Sequence, residues 1–235
     1  MPKTETAAGN ANGNGNGHVS TQASTVYDRL RTDILTGKLK PGAKLRLKDL
    51  IEQYDTGNSP LREALNRLSA NGMVVREENR GFRVPPASAK ELMELTRTRI
   101  WLEEIALRES IANGDSDWEE RIVLAFHWLA RAARSGDEAQ YTSAEWEEHH
   151  REFHLALISA CDSDILVGFC AELHQRTFRY RNLAEVVEYR GIHELGEHEE
   201  LQQAVLNRDS DLAVDLLRKH YTVTSQILID SGRFD

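Results

Sequence analysis

Four histidines in the C-terminal part of the chain have spacings that suit metal coordination. His150 and His154 are one helical turn apart, so both imidazoles project from the same side of a predicted helix. His198 and His220 each fall in the apolar stripe of a later predicted helix. Buried polar groups need partners, and four imidazoles directed into one helical core can satisfy each other by sharing an ion. We therefore predict a metal site formed by these four histidines.

The all-nitrogen donor set favours Zn²⁺ or Ni²⁺ over Mg²⁺ or Ca²⁺, and we take Zn²⁺ as the first expectation. The alternative is that each histidine is a hydrogen-bonded core residue that holds no ion, as is usual for a single histidine on an apolar face. The segment His150-Arg-Glu-Phe-His154 superficially resembles the helix of a zinc hydrolase. That motif needs a glutamate directly after the first histidine as general base, and here Arg151 occupies the position. We therefore expect no enzyme activity.

Arg99 is a charged residue in an apolar stripe, at the first predicted helix of the C-terminal region. A guanidinium that faces a core cannot lose its proton, so it needs an anion. Glu103, one turn later, is one candidate partner. The carboxylate of a bound ligand, held between Arg99 and an open metal position, is the other. Arg179 is a second candidate for binding such a ligand, against the alternative of a surface residue.

Another set of polar residues, nearer the N-terminus, has the arrangement of a DNA-reading module. Asn58, Ser59 and Arg62 fall in the first turn of a predicted recognition helix, where side chains face base edges in the major groove. Arg62 can donate two parallel hydrogen bonds to guanine. The remaining candidates, placed where they could meet phosphates or a minor groove, are Arg46, Lys48, Arg67, Asn79, Arg80 and Gly81. Taken singly, each of these residues could equally be a solvated surface group.

The segments around these residues predict a winged helix-turn-helix over residues 23–86. Val26, Leu30 and Ile34 recur at helical spacing, and Leu47–Tyr54 forms a second short helix. A third helix begins near Ser59 as N-cap, with Pro60 in its first turn. Two short extended pieces, 73–76 and 82–84, complete a hairpin wing. Residues 1–22 are rich in Gly, Asn and Ala, and we predict a disordered tail there.

Beyond Pro85-Pro86, which we interpret as a linker, residues 87–235 have helical periodicity throughout. Two capping boxes, Ser88 with Glu91 and Thr142 with Glu145, mark helix starts. We count about six helices and no strand-like alternation. The predicted fold class is therefore mainly α, a winged helix-turn-helix followed by an all-α bundle.

Charge separates the same two parts of the chain. Residues 26–87 carry twelve Lys and Arg against eight Asp and Glu, whereas residues 88–235 carry sixteen against twenty-nine. A basic segment attached to an acidic one suits a nucleic-acid module carried by a separate domain, although chance asymmetry is the alternative. No signal peptide or membrane span is evident, and two cysteines without metal or redox spacing suggest reduced thiols. We expect a cytoplasmic protein without a membrane partner.

The N-terminal segments resemble the DNA-binding domain of the GntR family. The resemblance is carried by the LKPG turn, the PLREAL recognition helix and the NRGF wing. It implies DNA contacts at Lys48, Asn58, Ser59, Arg62 and the wing tip 79–81. The family usually has arginine where this chain has Asn58, so the operator sequence is expected to differ from the common one.

The C-terminal segments resemble the FCD effector domain of the FadR-like subfamily. The resemblance is carried by LTRTRIWLEEIALRES, HHREFHLALISACDSDIL and GEHEELQQAV with DLLRKHYT. Many such domains hold a metal with one Asp and three His. Here His150 occupies the Asp position, the other three histidines match, and Glu147 could assist. Arg99 matches an arginine that often holds the small carboxylic acids that serve as effectors in this subfamily. The sequence of these segments most resembles regulators of dicarboxylate catabolism.

Together these features predict a transcriptional regulator that binds a pseudo-palindromic operator as a homodimer. A repressor is the first expectation. A metal ion and a small organic acid, with dicarboxylates as candidates, would alter its operator affinity. The alternative within this class is a metal-responsive regulator in which the ion itself is the signal.

Overall fold

The computed structural model describes residues 21–77, 81–134, 144–184 and 191–234. The N-terminal part contains three helices and a small sheet, namely α1 (Gln22–Leu35), β1 (Lys44–Leu45), α2 (Leu47–Tyr54), α3 (Asn58–Ala70), β2 (Val75–Glu77) and β3 (Gly81–Arg83). The remaining elements are all helical: α4 (Ala89–Asn113), α5 (Ser116–Arg134), α6 (Ala144–Leu157), α7 (Asp164–Ala184), α8 (Gly191–Leu206) and α9 (Ser210–Asp230). This architecture confirms the predicted fold class. No helix within the described ranges is both long and apolar enough to cross a membrane.

Helices α1, α2 and α3 bury the apolar faces that the sequence periodicity predicts. Val26, Leu30 and Ile34 of α1 pack in one core with Leu61 and the other apolar residues of α3. Apolar residues spaced three or four apart form one face of a helix, and this face packs against the protein core because that removes it from water. The helix-turn-helix core is therefore a local consequence of the sequence.

The ends of two helices differ from the prediction. Helix α1 begins at Gln22 with Thr21 as its N-cap, so the tail predicted for residues 1–22 is too long by at least two residues; residues 1–20 lie outside the described residues. Helix α3 begins at Asn58 with Gly57 as its N-cap, so Ser59 lies in the first turn and does not cap the helix. The N-cap of α3 therefore lies two positions before the expected one.

Sequence patterns did not indicate strand β1, which joins the two strands of the predicted wing. Strand β3 lies in the middle of a three-stranded antiparallel sheet, paired with β2 on one side and with β1 on the other. The hairpin partners are Val75 with Arg83 and Glu77 with Gly81. Strand β1 has only two residues, which is too short to display an alternating pattern.

The C-terminal bundle surrounds its own apolar core. Helix α4 packs against α7 and α9, and α5 packs against α6 and α8. Trp118 and Phe153 are among its fully buried side chains. Six helices lie in this part of the described chain, as expected from the sequence. Thr142 of the second predicted capping box lies outside the described residues.

The first predicted capping box forms only in part. Ser88 is the N-cap of α4, and its hydroxyl accepts a hydrogen bond from the amide of Glu91 at 3.2 Å. The Glu91 carboxylate does not return to the Ser88 amide, which donates instead to the Tyr180 hydroxyl at 3.4 Å. The Glu91 carboxylate of α4 accepts hydrogen bonds from α7, so it joins these two helices where the bundle begins.

Candidate functional site

Four buried imidazoles meet in the interior of the bundle. His150 and His154 come from α6, His198 from α8 and His220 from α9, and none is more than 3% exposed. The Nε2 atom of His154 lies 3.1 Å from Nε2 of His150 and 3.2 Å from Nε2 of His198. One nitrogen from each of the four rings falls within 4.8 Å of all the others. The four residues predicted from spacing are therefore one cluster.

Burial keeps at least two of these rings neutral near pH 7. It lowers the pKa of His150 well below 6.5, and the nearby Arg181 guanidinium lowers it further. Burial likewise lowers the pKa of His154, with the neighbouring His198 as the next cause. A neutral imidazole presents one lone pair, which is the form that binds metal ions.

Two of the rings are oriented by hydrogen bonds on the side away from the cluster centre. Nδ1 of His220 lies 2.8 Å from a carboxylate oxygen of Glu197. Nδ1 of His154 lies 3.0 Å from the hydroxyl of Tyr221, which in turn donates to Glu103. Partners of this kind fix ring orientation and tautomer in metal sites.

Helix α9 is rotated slightly from the apolar stripe that the sequence predicts for it, which consists of Ala213, Leu216, His220, Val223 and Ile227. Its buried residues are Ala213, Val214, Leu217, His220, Tyr221, Thr224, Ser225 and Leu228. Leu216, Val223 and Ile227, which the predicted stripe included, are only partly buried. The rotation brings Tyr221 into the interior next to His154.

Arg99 lies beside this cluster and is 3% exposed. Its Nε donates to Glu103 at 2.9 Å, so the partner one helical turn away that the sequence suggested is present. Its Nη2 lies 3.2 Å from Nδ1 of His174, and its guanidinium carbon lies 4.0 Å above the ring of Tyr221. Nη1 makes no hydrogen bond with any of the described residues. Arg99 therefore links the Glu103 carboxylate to the histidine region.

Arg179 does not contact the histidine cluster, and its part in binding an effector stays a prediction. It is 6% exposed, so it is not the surface residue of the alternative. Its guanidinium donates to the carbonyl oxygens of Pro85 at 3.3 Å and Pro86 at 3.2 Å, and to Glu91 at 3.3 Å. Arg179 thus holds the interdomain linker against α7.

Helix α7 contributes two site residues that the sequence analysis missed. His174 is 5% exposed and contacts Arg99, and Arg181 is 8% exposed and lies 3.4 Å from Nδ1 of His150. Arg181 also forms an ion pair of 3.5 Å with the buried Glu147. The signal was present as a buried stripe at helical spacing, formed by Cys170, His174, Thr177, Arg181 and Ala184.

A cavity of about 170 Å³ lies between the DNA-binding domain and the bundle, next to the cluster. Its lining includes Arg31 and Leu35 from α1, Glu147 from α6, and His174 and Phe178 from α7. The same two bundle residues, Glu147 and His174, also border the histidines. The cavity therefore extends from the edge of the cluster to the first helix of the N-terminal domain.

The predicted DNA-reading side chains lie on exposed positions of α2 and α3. Asn58, Ser59 and Arg62 form the first turns of α3, and Arg62 Nε donates to the Asn58 side-chain oxygen at 2.7 Å. Arg46 is the N-cap of α2, and Lys48 follows in its first turn. These five residues are exposed, and their contacts with bases and phosphates stay a prediction.

Three other candidates for DNA contact have different surroundings. Arg67 packs back on α1, with its guanidinium carbon 4.3 Å above the Tyr27 ring and Nη1 3.4 Å from the Ser24 hydroxyl. Gly81 begins β3 with a φ of +91°, a conformation that favours glycine. Asn79 and Arg80 lie outside the described residues.

Comparison with known proteins gives two family matches. The profile of the FCD domain matches residues 94–223, more than half of the chain. The profile described as bacterial regulatory proteins, gntR family, matches residues 22–84. The two matches coincide with the winged helix-turn-helix and most of the helical bundle.

Several known proteins resemble the chain along most of its length. The chain is 38% identical over 226 residues to the uncharacterized HTH-type transcriptional regulator BphR of Paraburkholderia xenovorans (strain LB400), covering 95% of this chain and 91% of that protein. It is 32% identical to the HTH-type transcriptional repressor GlaR of Escherichia coli (strain K12), covering 83% and 90%. The structure of E. coli McbR/YncC superposes with a TM-score of 0.73 at 23% identity, covering 90% of this chain and 99% of that one, which shows a shared fold. The chain therefore belongs to the GntR family of bacterial transcriptional regulators, with an FCD domain following its DNA-binding domain, and it is not an enzyme.

Proposed function

We propose that this regulator is a homodimeric repressor whose FCD domain binds one divalent metal ion and a small carboxylic acid. The ion is Zn²⁺ by preference, with Ni²⁺ as the alternative, and its ligands are His150, His154, His198 and His220. The observation that carries the proposal is the convergence of imidazole nitrogens from α6, α8 and α9 inside the bundle.

The distances in the cluster support an ion with four nitrogen ligands, which would take a ligand carboxylate as a fifth. Zinc–nitrogen bonds are about 2.0–2.1 Å long, so the edge of a regular tetrahedron of nitrogens is about 3.3 Å. The Nε2 separations of His154 from His150 and His198, 3.1 and 3.2 Å, come within about 0.2 Å of that edge. Glu197 and Tyr221, which contact His220 and His154, are suitable outer partners. These residues would hold the ion, and the ion would supply a positive centre for an acid.

The surroundings of the cluster favour an anionic effector. Arg99 and Arg181 bring two buried guanidinium groups to the imidazoles, and a divalent ion would add further positive charge. Nη1 of Arg99 is available for a ligand carboxylate, while Nε remains on Glu103. A dicarboxylate, with one acid group for the metal and one for an arginine, is the ligand class we expect.

Helix α7 gives a route from this ligand to the DNA-binding domain. One side of α7 carries His174 and Arg181 at the cluster. Another side carries Arg179 on the linker and Asn182, whose amide donates to the carbonyl of Leu35 in α1 at 2.7 Å. A small shift of α7 on ligand binding would therefore move the linker and α1 together. Such a shift changes operator affinity only if the ligand binds the two arrangements unequally.

A second copy of this chain is the partner we expect on the exposed apolar surface of α4 and α7. Trp101 and Ile105 of α4 are 58% and 56% exposed, and Ile165 and Phe169 of α7 are 76% and 55% exposed. These neighbouring helices thus present large apolar side chains to solvent, which is costly for a monomer. We expect Trp101→Glu to give monomers in analytical ultracentrifugation, and Leu212→Glu, on α9, to leave the dimer intact. A monomeric wild type would contradict the dimer.

DNA binding can be tested with the region upstream of the protein's own gene. We expect the wild type to bind this DNA more tightly than a scrambled sequence at physiological salt, as measured by fluorescence anisotropy. Arg62→Ala should lower specific affinity by about 1–3 kcal/mol because it removes a base contact. Arg121→Ala, an exposed arginine on α5, is the matched control. Equal binding of both DNAs by the wild type would refute regulation at this site.

Metal content and effector response can be separated in one titration series. We expect about one Zn²⁺ per wild-type chain in elemental analysis and none in His154→Ala with His198→Ala. Succinate and other small acids are then added to metal-loaded and chelated protein bound to operator DNA. Release by acid only in the loaded form supports the two-component site, and release by Zn²⁺ alone supports the ion as the signal. Unchanged acid affinity after chelation would refute a ligand held on the metal.

A further inference from the structure

We propose that Tyr221 is a positioning residue that fixes the tautomer of His154 and joins Arg99 to the histidine cluster. The part of this inference that concerns metal and acid rests on the function proposed above. The part that concerns the tautomer depends only on the hydrogen bonds of the protein itself, and it can be measured without metal.

The contacts of Tyr221 determine which of its two neighbours receives the hydroxyl proton. Tyr221 is 3% exposed, and its hydroxyl lies between an oxygen of Glu103 and Nδ1 of His154, the latter at 3.0 Å. Glu103 also accepts from Arg99 Nε at 2.9 Å, as expected of an ionised carboxylate in a buried ion pair. A carboxylate can only accept, so the single proton of the hydroxyl points to Glu103.

The tautomer of His154 follows from this direction. Because the Tyr221 oxygen has already donated its proton to Glu103, it can only accept at His154. Nδ1 of His154 must therefore carry the ring proton, and Nε2 has the lone pair. Nε2 is the atom that faces Nε2 of His150 and Nε2 of His198. Tyr221 thus directs the metal-binding nitrogen of His154 toward the centre of the cluster.

Arg99 is connected to His154 through the same groups. Its Nε holds one oxygen of Glu103, the other oxygen accepts from Tyr221, and its guanidinium lies 4.0 Å above the Tyr221 ring. None of these four residues is more than 3% exposed, so water does not compete for these hydrogen bonds. An acid bound at Arg99 would shift Glu103 and, through Tyr221, His154. The acid and the metal would then change each other's affinity by the same factor.

The test compares Tyr221→Phe with Tyr180→Phe. Tyr180 is also fully buried and donates to a glutamate, Glu91, but its hydroxyl belongs to the linker region. We expect Tyr221→Phe to lower Zn²⁺ affinity roughly 10–100-fold, as measured by competition with a chromophoric chelator, because a metal ligand loses its outer partner. The effect of succinate on Zn²⁺ affinity should also shrink. Tyr180→Phe should match the wild type in both measurements.

Nitrogen-15 NMR of metal-free protein provides the independent readout. In the wild type, the His154 ring should show a protonated Nδ1 and an unprotonated Nε2, and in Tyr221→Phe this preference should be lost. A protonated Nε2 in the wild type would overturn the inference, as would a Tyr221→Phe variant with unchanged Zn²⁺ affinity. If the wild type binds no Zn²⁺, the proposed metal function fails. The His154 tautomer measured by NMR then still tests whether Tyr221 is a positioning residue.

Discussion

Replacement of Arg179 by methionine tests whether this side chain serves the linker or an effector. Methionine keeps an unbranched apolar stem of similar reach but removes all hydrogen bonds of the guanidinium. The wild-type side chain donates to Pro85, Pro86 and Glu91 at 3.2–3.3 Å. We therefore expect a loss of stability with no change in the affinity for carboxylic acids.

The size of the loss follows from the surroundings of each bond. The bond to the Pro85 carbonyl is buried, so its removal leaves a buried acceptor and costs about 1–3 kcal/mol. The other two bonds are partly buried, and water can replace them at about 0.5–1.5 kcal/mol each. Glu91 keeps Arg176 and Tyr180 as partners. Because all three distances are at the long end of the usual range, we expect a total near 3 kcal/mol.

Urea unfolding and thermal melting measure this loss. For a chain of this size, a loss of about 3 kcal/mol corresponds to a fall in Tm of roughly 6–12 °C. Arg121→Ala is the control, since an exposed arginine on α5 should change the free energy of unfolding by less than about 0.5 kcal/mol. A stable Arg179→Met protein that binds succinate more weakly would refute the linker role and support Arg179 as an effector residue.

Three further predictions concern stability. Burial lowers the pKa of His150 and His154 below the unfolded value of 6.5, so the unfolded chain binds more protons and chelated protein should lose stability as pH falls below about 6.5. Each ring contributes at most about 1.4 kcal/mol per pH unit, and a urea series from pH 7.5 to 5.0 in chelator measures the slope; a flat profile would contradict neutral buried rings. Gly114→Ala should destabilise the bundle by about 1–3 kcal/mol, because the added Cβ would lie 2.0 Å from the Trp118 ring. Gly196 lies inside α8, and a Cβ added there would have no contact within 4 Å, so Gly196→Ala should raise stability by up to about 1 kcal/mol. Equal effects of the two substitutions on stability would refute the packing argument.

Much of the site could be predicted because helical spacing assigns a residue to a helix face. His150 and His154 are four residues apart, and their neighbours Phe153 and Leu157 are apolar, so an inward orientation followed from one segment alone. The helix-turn-helix was predictable for the same reason, since its core is built from contacts between helices that are close in sequence. Errors at its edges, such as the cap of α3 and strand β1, concern one or two residues for which patterns carry little information.

Other parts of the site depend on which helices become neighbours. Arg179 and Arg181 are two residues apart on α7, yet one holds the linker and the other reaches His150. Nothing in the local sequence distinguishes their roles, because spacing assigns a face to a residue but does not say what that face meets. The pairing of Tyr221 with Glu103, from α9 and α4, is undetermined by sequence for the same reason.

The sequence by itself determined the mainly helical fold, the DNA-reading helix and the inward faces that carry the histidines. These follow from the helical spacing of apolar and polar residues. Only the tertiary structure decided that three helices bring their imidazole nitrogens to one point, that Arg99 reaches them through Glu103 and Tyr221, and that α7 contacts both the cluster and α1. Those contacts join residues far apart in the chain, and they depend on how each helix is rotated and packed.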